Sequence, residues 1–469
     1  MFQKVQKTLR RGALALTVSV ASVAAAQAQT LSDALATAYE HSGLLEQNRA
    51  LLRAADENVA VSIAALRPII NWFGNVSYEY SDSDLTGVTR LSQDRFAGIG
   101  VSLDLLLFDN GQSKLATEAA KETVLATRQG LISVEQTVLF NAVQAFMDVV
   151  ADDEIVKLRV NNLRLLEREL QAAQDRFEVG EVTRTDVALA EARLAGARAQ
   201  LAAAQGDLEA SKEFYAAAVG ARPGNLVTPR SLPKAANSID EAKAVAVRSH
   251  PQMLQAQFQI SAAELNVQRA RAAMGPSINL KSRVGTRREF DSSQFADSAS
   301  VAIELGGPIY QGGRLSALLR QTMAQRDAER GNLHVVRHNI RQQAGTAWAR
   351  FLASGSQIQA SVRQVEAARI AFEGVREEAK LGARTTLDVL TAEQDLLDAE
   401  ADRIEAQALQ IVAAYGVLSS MGLLTVDYLN LRVERYDPEA YYNLVKNAPA
   451  LRSEQGQKLD RVLKAIGKE

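Results

Sequence analysis

The sequence repeats itself at an offset of 202 residues, as from Gly180 to Gly382, and this repeat limits the possible folds more than any other feature. A Thr-x-x-Asp-Val motif follows each of these glycines, at Thr183 and at Thr385. The same offset aligns the four residues that end at Gly111 with those that end at Gly313. A period of about 200 residues is far longer than a short solenoid unit. We therefore expect an internal tandem duplication in which each copy is a substantial structure.

Apolar residues recur every seven positions in both copies, which is typical of a coiled-coil seam. Before the glycines the columns are Val149, Val156, Leu163, Leu170 and Phe177, then Phe351, Ile358, Val365, Phe372 and Ala379. After them they are Val187, Leu194, Leu201, Leu208 and Tyr215, then Leu390, Leu397, Ile404, Ile411 and Leu418. The stretch from about 112 to 176 has no proline and predicts helix on the order of 100 Å long. On these columns alone, a soluble coiled-coil rod is the simplest interpretation.

Four short segments interrupt the helical pattern, in pairs at about 70–107 and about 277–307, after Pro68 and Pro276. Apolar and polar residues alternate in them, which predicts strands with one apolar face. Stretches of nine or ten residues also suit a transmembrane β-strand. Aromatic residues concentrate here, as they do at membrane interfaces. The alternative interpretation is two soluble hairpins packed on a core.

Residues 1–28 predict a secretory signal peptide, with a basic start, an apolar run from Gly12 to Ala26 and cleavage after Ala28. The run is shorter than the roughly 20 residues that span a bilayer. No later run of 18 apolar residues follows, so any membrane contact is expected through strands. Four strands cannot close a barrel, whereas a dimer would supply eight and a trimer twelve. Lys281, Arg283 and Arg287 would then face water inside the pore.

Composition and motifs argue against several classes of protein. The chain has no cysteine, which excludes disulfides and thiolate metal sites, and its net charge of −2 argues against nucleic acid as a partner. Phosphate-binding and nucleophile-elbow motifs are missing, so we expect no enzyme and no cofactor. His334 and His338 have the i,i+4 spacing of metal ligands, but the zincin pattern needs Glu where Val335 stands. We therefore expect no metal site.

The order and spacing of these features resemble the TolC-like outer-membrane efflux proteins, from about Leu31 to Leu424. The resemblance implies a mainly α chain with a small β part. It also implies a homotrimer with an α-helical coiled-coil barrel and a 12-stranded antiparallel transmembrane β-barrel, four strands per chain. It divides the chain into a signal peptide (1–28), a first repeat (29–222), an equatorial linker (223–250), a second repeat (251–424) and a C-terminal equatorial tail (425–469).

The resemblance also implies a passive exit duct of an efflux pump or a type I secretion system, with porin activity. Its partners would be a periplasmic adaptor, an inner-membrane pump and outer-membrane lipid, in a Gram-negative bacterium. The alternative from another class is a soluble periplasmic coiled-coil adaptor or scaffold.

The resemblance assigns roles to eight residues. They are a periplasmic gate at Asp388 and Thr391, a gate latch between Asp186 and Arg384, helix-tip turns at Gly180 and Gly382, and strand-to-helix returns at Gly111 and Gly313. Thr391 replaces an acidic residue of the family's gate, and Ala379 replaces a latch tyrosine, so we expect weaker cation selectivity and a looser closed state. Independently of the family, Asp186 and Asp388 are also suited to capping the helices that begin beside them.

Overall fold

The computed structural model describes residues 29–85, 88–229, 231–234, 236–290 and 295–465; the predicted signal peptide lies outside these residues. The first half of the chain consists of α1 (Leu31–His41), α2 (Gly43–Ala64), β1 (Ile69–Leu85), β2 (Val88–Phe108), α3 (Gln112–Glu178) and α4 (Arg184–Val219). The second half consists of α5 (Ile239–Ser249), α6 (Pro251–Ala272), β3 (Ser277–Glu289), β4 (Phe295–Gly306), α7 (Arg314–Lys380) and α8 (Thr386–Ser420). The short helices α9 (Val426–Leu429), α10 (Ala440–Val445) and α11 (Glu454–Ala465) follow. The expectation of a mainly helical chain with a small β part is confirmed.

Helices at corresponding places in the two halves have nearly the same length. Helices α3 and α7 have 67 residues each, and α4 and α8 have 36 and 35. The pairs α1 with α5 and α2 with α6 have 11 and 22 residues. No helix of the described residues carries an apolar stretch long enough to cross a membrane.

The described chain forms two compact units, and each contains segments of both halves. The first unit comprises residues up to Ser42, Glu135–Ala242 and Ala344–Glu434. Its core lies between helices and includes Phe146 and Tyr215, whose ring centroids are 6.4 Å apart. The predicted heptad columns supply much of the packing here, because most of their residues are buried or half-buried. Phe177, at the end of one column, is an exception and is 45% exposed.

The second unit comprises Gly43–Val134, Lys243–Gln343 and Arg435–Glu469. It contains an antiparallel sheet with the strand order β1-β2-β3-β4. The register places Trp72 beside Val101, Val101 beside Val284, and Val284 beside Ala299. Because side chains alternate between the two faces of a sheet, this register collects the predicted apolar positions on one face.

The strands β1 and β2 are longer than the alternating segments that predict them, with 17 and 21 residues. Alternation stops near Tyr80, where polar residues follow, yet backbone pairing continues to Leu85 and Val88. Ladder hydrogen bonds need no particular side chain, so a pattern of apolar residues marks only part of such a strand.

Candidate functional site

The candidate site comprises the two turns that join α3 to α4 and α7 to α8. Gly180 and Gly382 have φ angles of 80° and 76°, in the left-handed region that favours glycine. The residue after each glycine donates its backbone N–H to a carbonyl five residues earlier, Glu181 to Arg176 at 2.9 Å and Ala383 to Glu378 at 3.0 Å. This is the Schellman ending of a helix. Both glycines therefore lie in tight turns with the same backbone conformation.

A capping box begins the helix after each turn. Oδ2 of Asp186 accepts hydrogen bonds from the backbone N–H of Thr183 at 2.9 Å and from its hydroxyl at 2.7 Å. Oδ2 of Asp388 accepts the same two bonds from Thr385, at 3.0 and 2.9 Å. In return, each threonine Oγ1 accepts the backbone N–H of its aspartate. Each box satisfies backbone donors at the start of a helix, so the capping role predicted for both aspartates is confirmed.

The same contacts set the electrostatics of the two aspartates. Hydrogen bonds from the side chain and backbone of Thr183 lower the pKa of Asp186, with Arg176 adding a smaller effect. Hydrogen bonds from the backbone and side chain of Thr385 lower the pKa of Asp388, with help from Arg384. Both aspartates therefore carry a negative charge at neutral pH.

The predicted latch residues have other partners in the described chain. Nε of Arg384 donates to Oε2 of Glu378 at 2.8 Å, within its own turn, and this ion pair raises the pKa of Arg384. Asp186 is engaged by Thr183. A pairing of Arg384 with Asp186 stays a prediction. The second gate position, Thr391, is exposed and donates its hydroxyl to the carbonyl of Leu387 at 2.8 Å.

The two strand-to-helix returns share a backbone conformation but differ in their caps. Gly111 and Gly313 both have a φ angle of 84°. In the first return the carboxylate of Asp109 accepts the backbone N–H groups of Gly111 at 3.1 Å and of Ser113 at 2.6 Å. In the second, Gln311 instead accepts a hydrogen bond from the Arg314 side chain at 2.6 Å.

Two buried carboxylates are candidate functional groups that the sequence alone does not identify. Glu393, on α8, is 5% exposed, and Asp56, on α2, is fully buried. Burial raises the pKa of Glu393 to about 7 and that of Asp56 to about 6. The repeat aligns Glu393 with Glu191, but the alignment carries no information on burial, and Glu191 is exposed.

Within the described ranges, no group of three or more His, Asp or Glu side chains is arranged to hold a metal ion. His334 and His338 are both exposed on α7.

Both the sequence and the structure of this chain are similar to those of known proteins. The family described as "Outer membrane efflux protein" matches residues 34–221 and 244–423. The outer membrane efflux protein BepC of Brucella suis is 36% identical over 447 residues, which cover 95% of this chain and 96% of the relative. The proteases secretion protein PrtF of Dickeya chrysanthemi is 25% identical over 413 residues, covering 82% and 87%. The outer membrane channel CmeC of Campylobacter jejuni superposes with a TM-score of 0.75 at 15% identity, covering 90% of each chain.

Proposed function

The chain belongs to the outer membrane efflux protein family, and from this premise we propose that it forms the exit duct of a tripartite efflux pump or type I secretion system. In this proposal, three copies assemble into a passive channel through the outer membrane. A periplasmic adaptor and an inner-membrane pump dock at the turns after α3 and α7, and cargo leaves through the lumen without chemical change.

The exposed apolar face of the sheet is the observation that carries the proposal. Trp72 is 79% exposed, Val76 is 77% exposed and Val301 is 74% exposed, all on the same face. Large aliphatic and aromatic side chains exposed in this way mark a surface that another apolar phase covers. Lipid hydrocarbon suits a face of this kind on strands of this length.

The opposite face of the sheet is polar and supports the proposal of a water-filled interior. It bears the ion pairs Lys281–Glu304, at 2.6 Å, and Arg287–Glu79, at 3.5 Å. Arg283 lies over the ring of Phe73, 4.9 Å from its centroid. Charged side chains belong on the lumen side of a transmembrane sheet, because they are costly against lipid.

The edges of the sheet argue for several copies. In the described sheet, β1 and β4 each pair with one strand only. An unpaired edge inside a bilayer leaves several backbone groups without hydrogen bonds, at a cost of several kcal/mol each. Three copies joined edge to edge give twelve strands and a lumen. The nearly equal lengths of corresponding helices in the two halves support the proposed tandem duplication.

For the gate, we propose that Asp388 forms a ring of three carboxylates at the narrow end and that Arg384 helps to hold the closed state. Thr391 contributes no charge, so selectivity for cations would come from one ring. The cargo class is open between small molecules and proteins: one relative is an efflux protein and another is a proteases secretion protein.

Native mass measurement of the detergent-solubilised full-length protein tests the architecture, with the mass of three chains expected. Cell fractionation tests the alternative of a soluble periplasmic scaffold. A monomer released by osmotic shock would support the scaffold and contradict the duct. Purification of the docked inner-membrane partner would identify the cargo class.

Single-channel recording tests the gate. Asp388→Asn should change conductance and block by cations. Asp33→Asn is the matched control, because Asp33 forms the same capping box with Thr30 at the start of α1. Equal conductance in both variants and the wild type would refute the gate assignment. Arg384→Ala should raise leakage more than Glu378→Gln, which removes only the intrachain ion pair.

A further inference from the structure

The buried carboxylate of Glu393 has one free oxygen. Oε1 accepts a 2.7 Å hydrogen bond from Nδ2 of Asn162 on α3. Oε2 is buried and has no hydrogen-bond partner. Burying an ionised carboxylate with one oxygen lacking a hydrogen bond costs much more free energy than burying the neutral carboxylic acid.

The surroundings of Glu393 combine a small cavity with an apolar cluster. A cavity of about 180 Å³ is lined by Asn162, Arg193, Gln200, Glu393 and Gln394, among others. Beside it, Leu166, Leu194, Ala197 and Leu390 form a buried cluster between α3, α4 and α8. Glu393 therefore lies where α8 packs against helices of the first half, five residues after Asp388.

Three charged side chains face Glu393 from the neighbouring helices. Glu169 on α3 disfavours its ionised form, whereas Arg193 on α4 and Arg376 on α7 favour it. Burial is the largest influence, and together these effects raise the pKa of Glu393 to about 7. A group whose pKa is raised in the folded state binds its proton more tightly there, so its packing is firmest below the ordinary pKa of a glutamate and weakens as the pH rises from that range to about 7.

We propose that Glu393 is a proton-binding site that controls the packing of α8 against α3 and α4. With its proton bound, the carboxyl group stays in the cleft and the start of α8 is held in place. When the proton leaves, the charged carboxylate favours hydration or contact with Arg193, and the start of α8 loosens. The consequence for opening of the duct rests on the proposed function; the packing itself does not.

Hydrogen exchange of the full-length protein in detergent, between pH 5.5 and 8.5, tests the proposal. After correction for the intrinsic pH dependence, exchange over 389–397 should accelerate by up to about tenfold per pH unit between pH 5.5 and 7, the slope for one proton, and should level off above pH 7. Glu393→Gln should abolish this dependence, because it is neutral at every pH. Glu191→Gln, at the equivalent exposed position of the first half, should behave as the wild type.

Asn162→Ala keeps the proposal falsifiable if Glu393→Gln does not fold. It removes a bond that favours the ionised carboxylate, so the transition should shift to higher pH. A wild-type profile that is flat, or a Glu393→Gln profile that keeps the dependence, overturns the proton site.

Conductance over the same pH range separates the two proposals. A protein that conducts but shows no pH-dependent exchange in α8 overturns the proton site alone. Exchange that follows Glu393 in a protein that never conducts overturns the duct alone. If both proposals hold, openings become more frequent as the pH rises from 5.5 to 7 in the wild type and not in Glu393→Gln.

Discussion

The hydroxyl group of Tyr441 donates a 2.6 Å hydrogen bond to Oε1 of Glu57, and this bond joins the C-terminal segment to α2. Around it, Ala60, Tyr441, Val445 and Leu459 form a buried apolar cluster. Burial and the nearby carboxylate of Glu57 raise the pKa of Tyr441, so the phenol stays protonated and remains a donor.

Tyr441→Phe should weaken this attachment. Hydrogen bonds to charged groups contribute about 1.5–3 kcal/mol, so we expect a loss of that order in the second unit. Limited proteolysis should then cut within 435–465 faster than in the wild type. Tyr442→Phe is the control, because the Tyr442 ring contacts Arg128 through its face and needs no hydroxyl for that contact. Equal protection in both variants would contradict the role of the bond.

The capping boxes should be equivalent in the two halves. Thr385→Ala and Thr183→Ala each remove a side-chain cap, at a cost of about 1 kcal/mol to the first turn of α8 or α4. Hydrogen exchange of the backbone N–H groups in those turns measures the loss. Thr391→Ala, inside α8, should leave the turn unchanged. Protection lost in only one half would show that other contacts hold the first turn of the helix in the other half.

Acid should weaken the same boxes. Because the pKa of Asp388 is lowered in the folded state, its contribution is present above the ordinary range of an aspartate and is lost as the pH falls below that range. The first turn of α8 should therefore fray at low pH, as seen by hydrogen exchange. Asp388→Asn should remove this acid sensitivity, because its side chain does not titrate, whereas fraying at neutral pH in the wild type would contradict the prediction.

Asp56→Asn should stabilise the second unit at high pH. Both carboxylate oxygens of Asp56 lack hydrogen-bond partners, and burial raises its pKa to about 6 despite Arg128. The folded protein therefore loses stability as the pH rises from the ordinary pKa of an aspartate to about 6, by about 2–3 kcal/mol in full. Thermal unfolding at pH 4 and pH 8 should show a larger advantage of the variant at pH 8. Asp33→Asn should instead destabilise the first unit at pH 8, because hydrogen bonds from Thr30 lower the pKa of Asp33 and stabilise its charged form.

Gly100→Ala should disturb the sheet, and Gly74→Ala should not. A Cβ atom at Gly100 would lie 2.5 Å from both Cζ of Phe73 and the carbonyl oxygen of Val284, whereas the nearest atom to one at Gly74 is 3.8 Å away. Overpacking of this kind costs about 1–3 kcal/mol. Electrophoretic mobility of unheated and heated samples measures the folded fraction. Similar mobility shifts in both variants would mean that Phe73 moves aside.

Sequence reasoning predicted the parts of the fold that depend on periodic or local patterns. The heptad columns predict the packed faces of α3, α4, α7 and α8, and the repeated glycines predict the two turns. The alternating segments predict four strands but not their full extent, because β1 continues past Tyr80 through polar residues.

Differences in burial and in side-chain contacts between the two halves could not be predicted from the sequence. Glu191 and Glu393 occupy equivalent positions, yet only Glu393 is buried, because burial depends on which helix packs beside it. Likewise, Arg384 meets Glu378 across a turn, a contact that residue spacing alone does not specify. The roles of Asp388, Thr391, Asp186 and Arg384 in gating stay predictions.

The equal lengths of α3 and α7 restrict how this chain can change length. Both helices start beside one sheet, where the register pairs Val101 with Val284, and both end at a glycine turn. A heptad deleted from α3 alone would shift its apolar column past the helices it packs against, while the sheet holds its other end. Deletions and insertions should therefore be tolerated only when they occur in both halves together. The helix length in each half thus limits the helix length in the other.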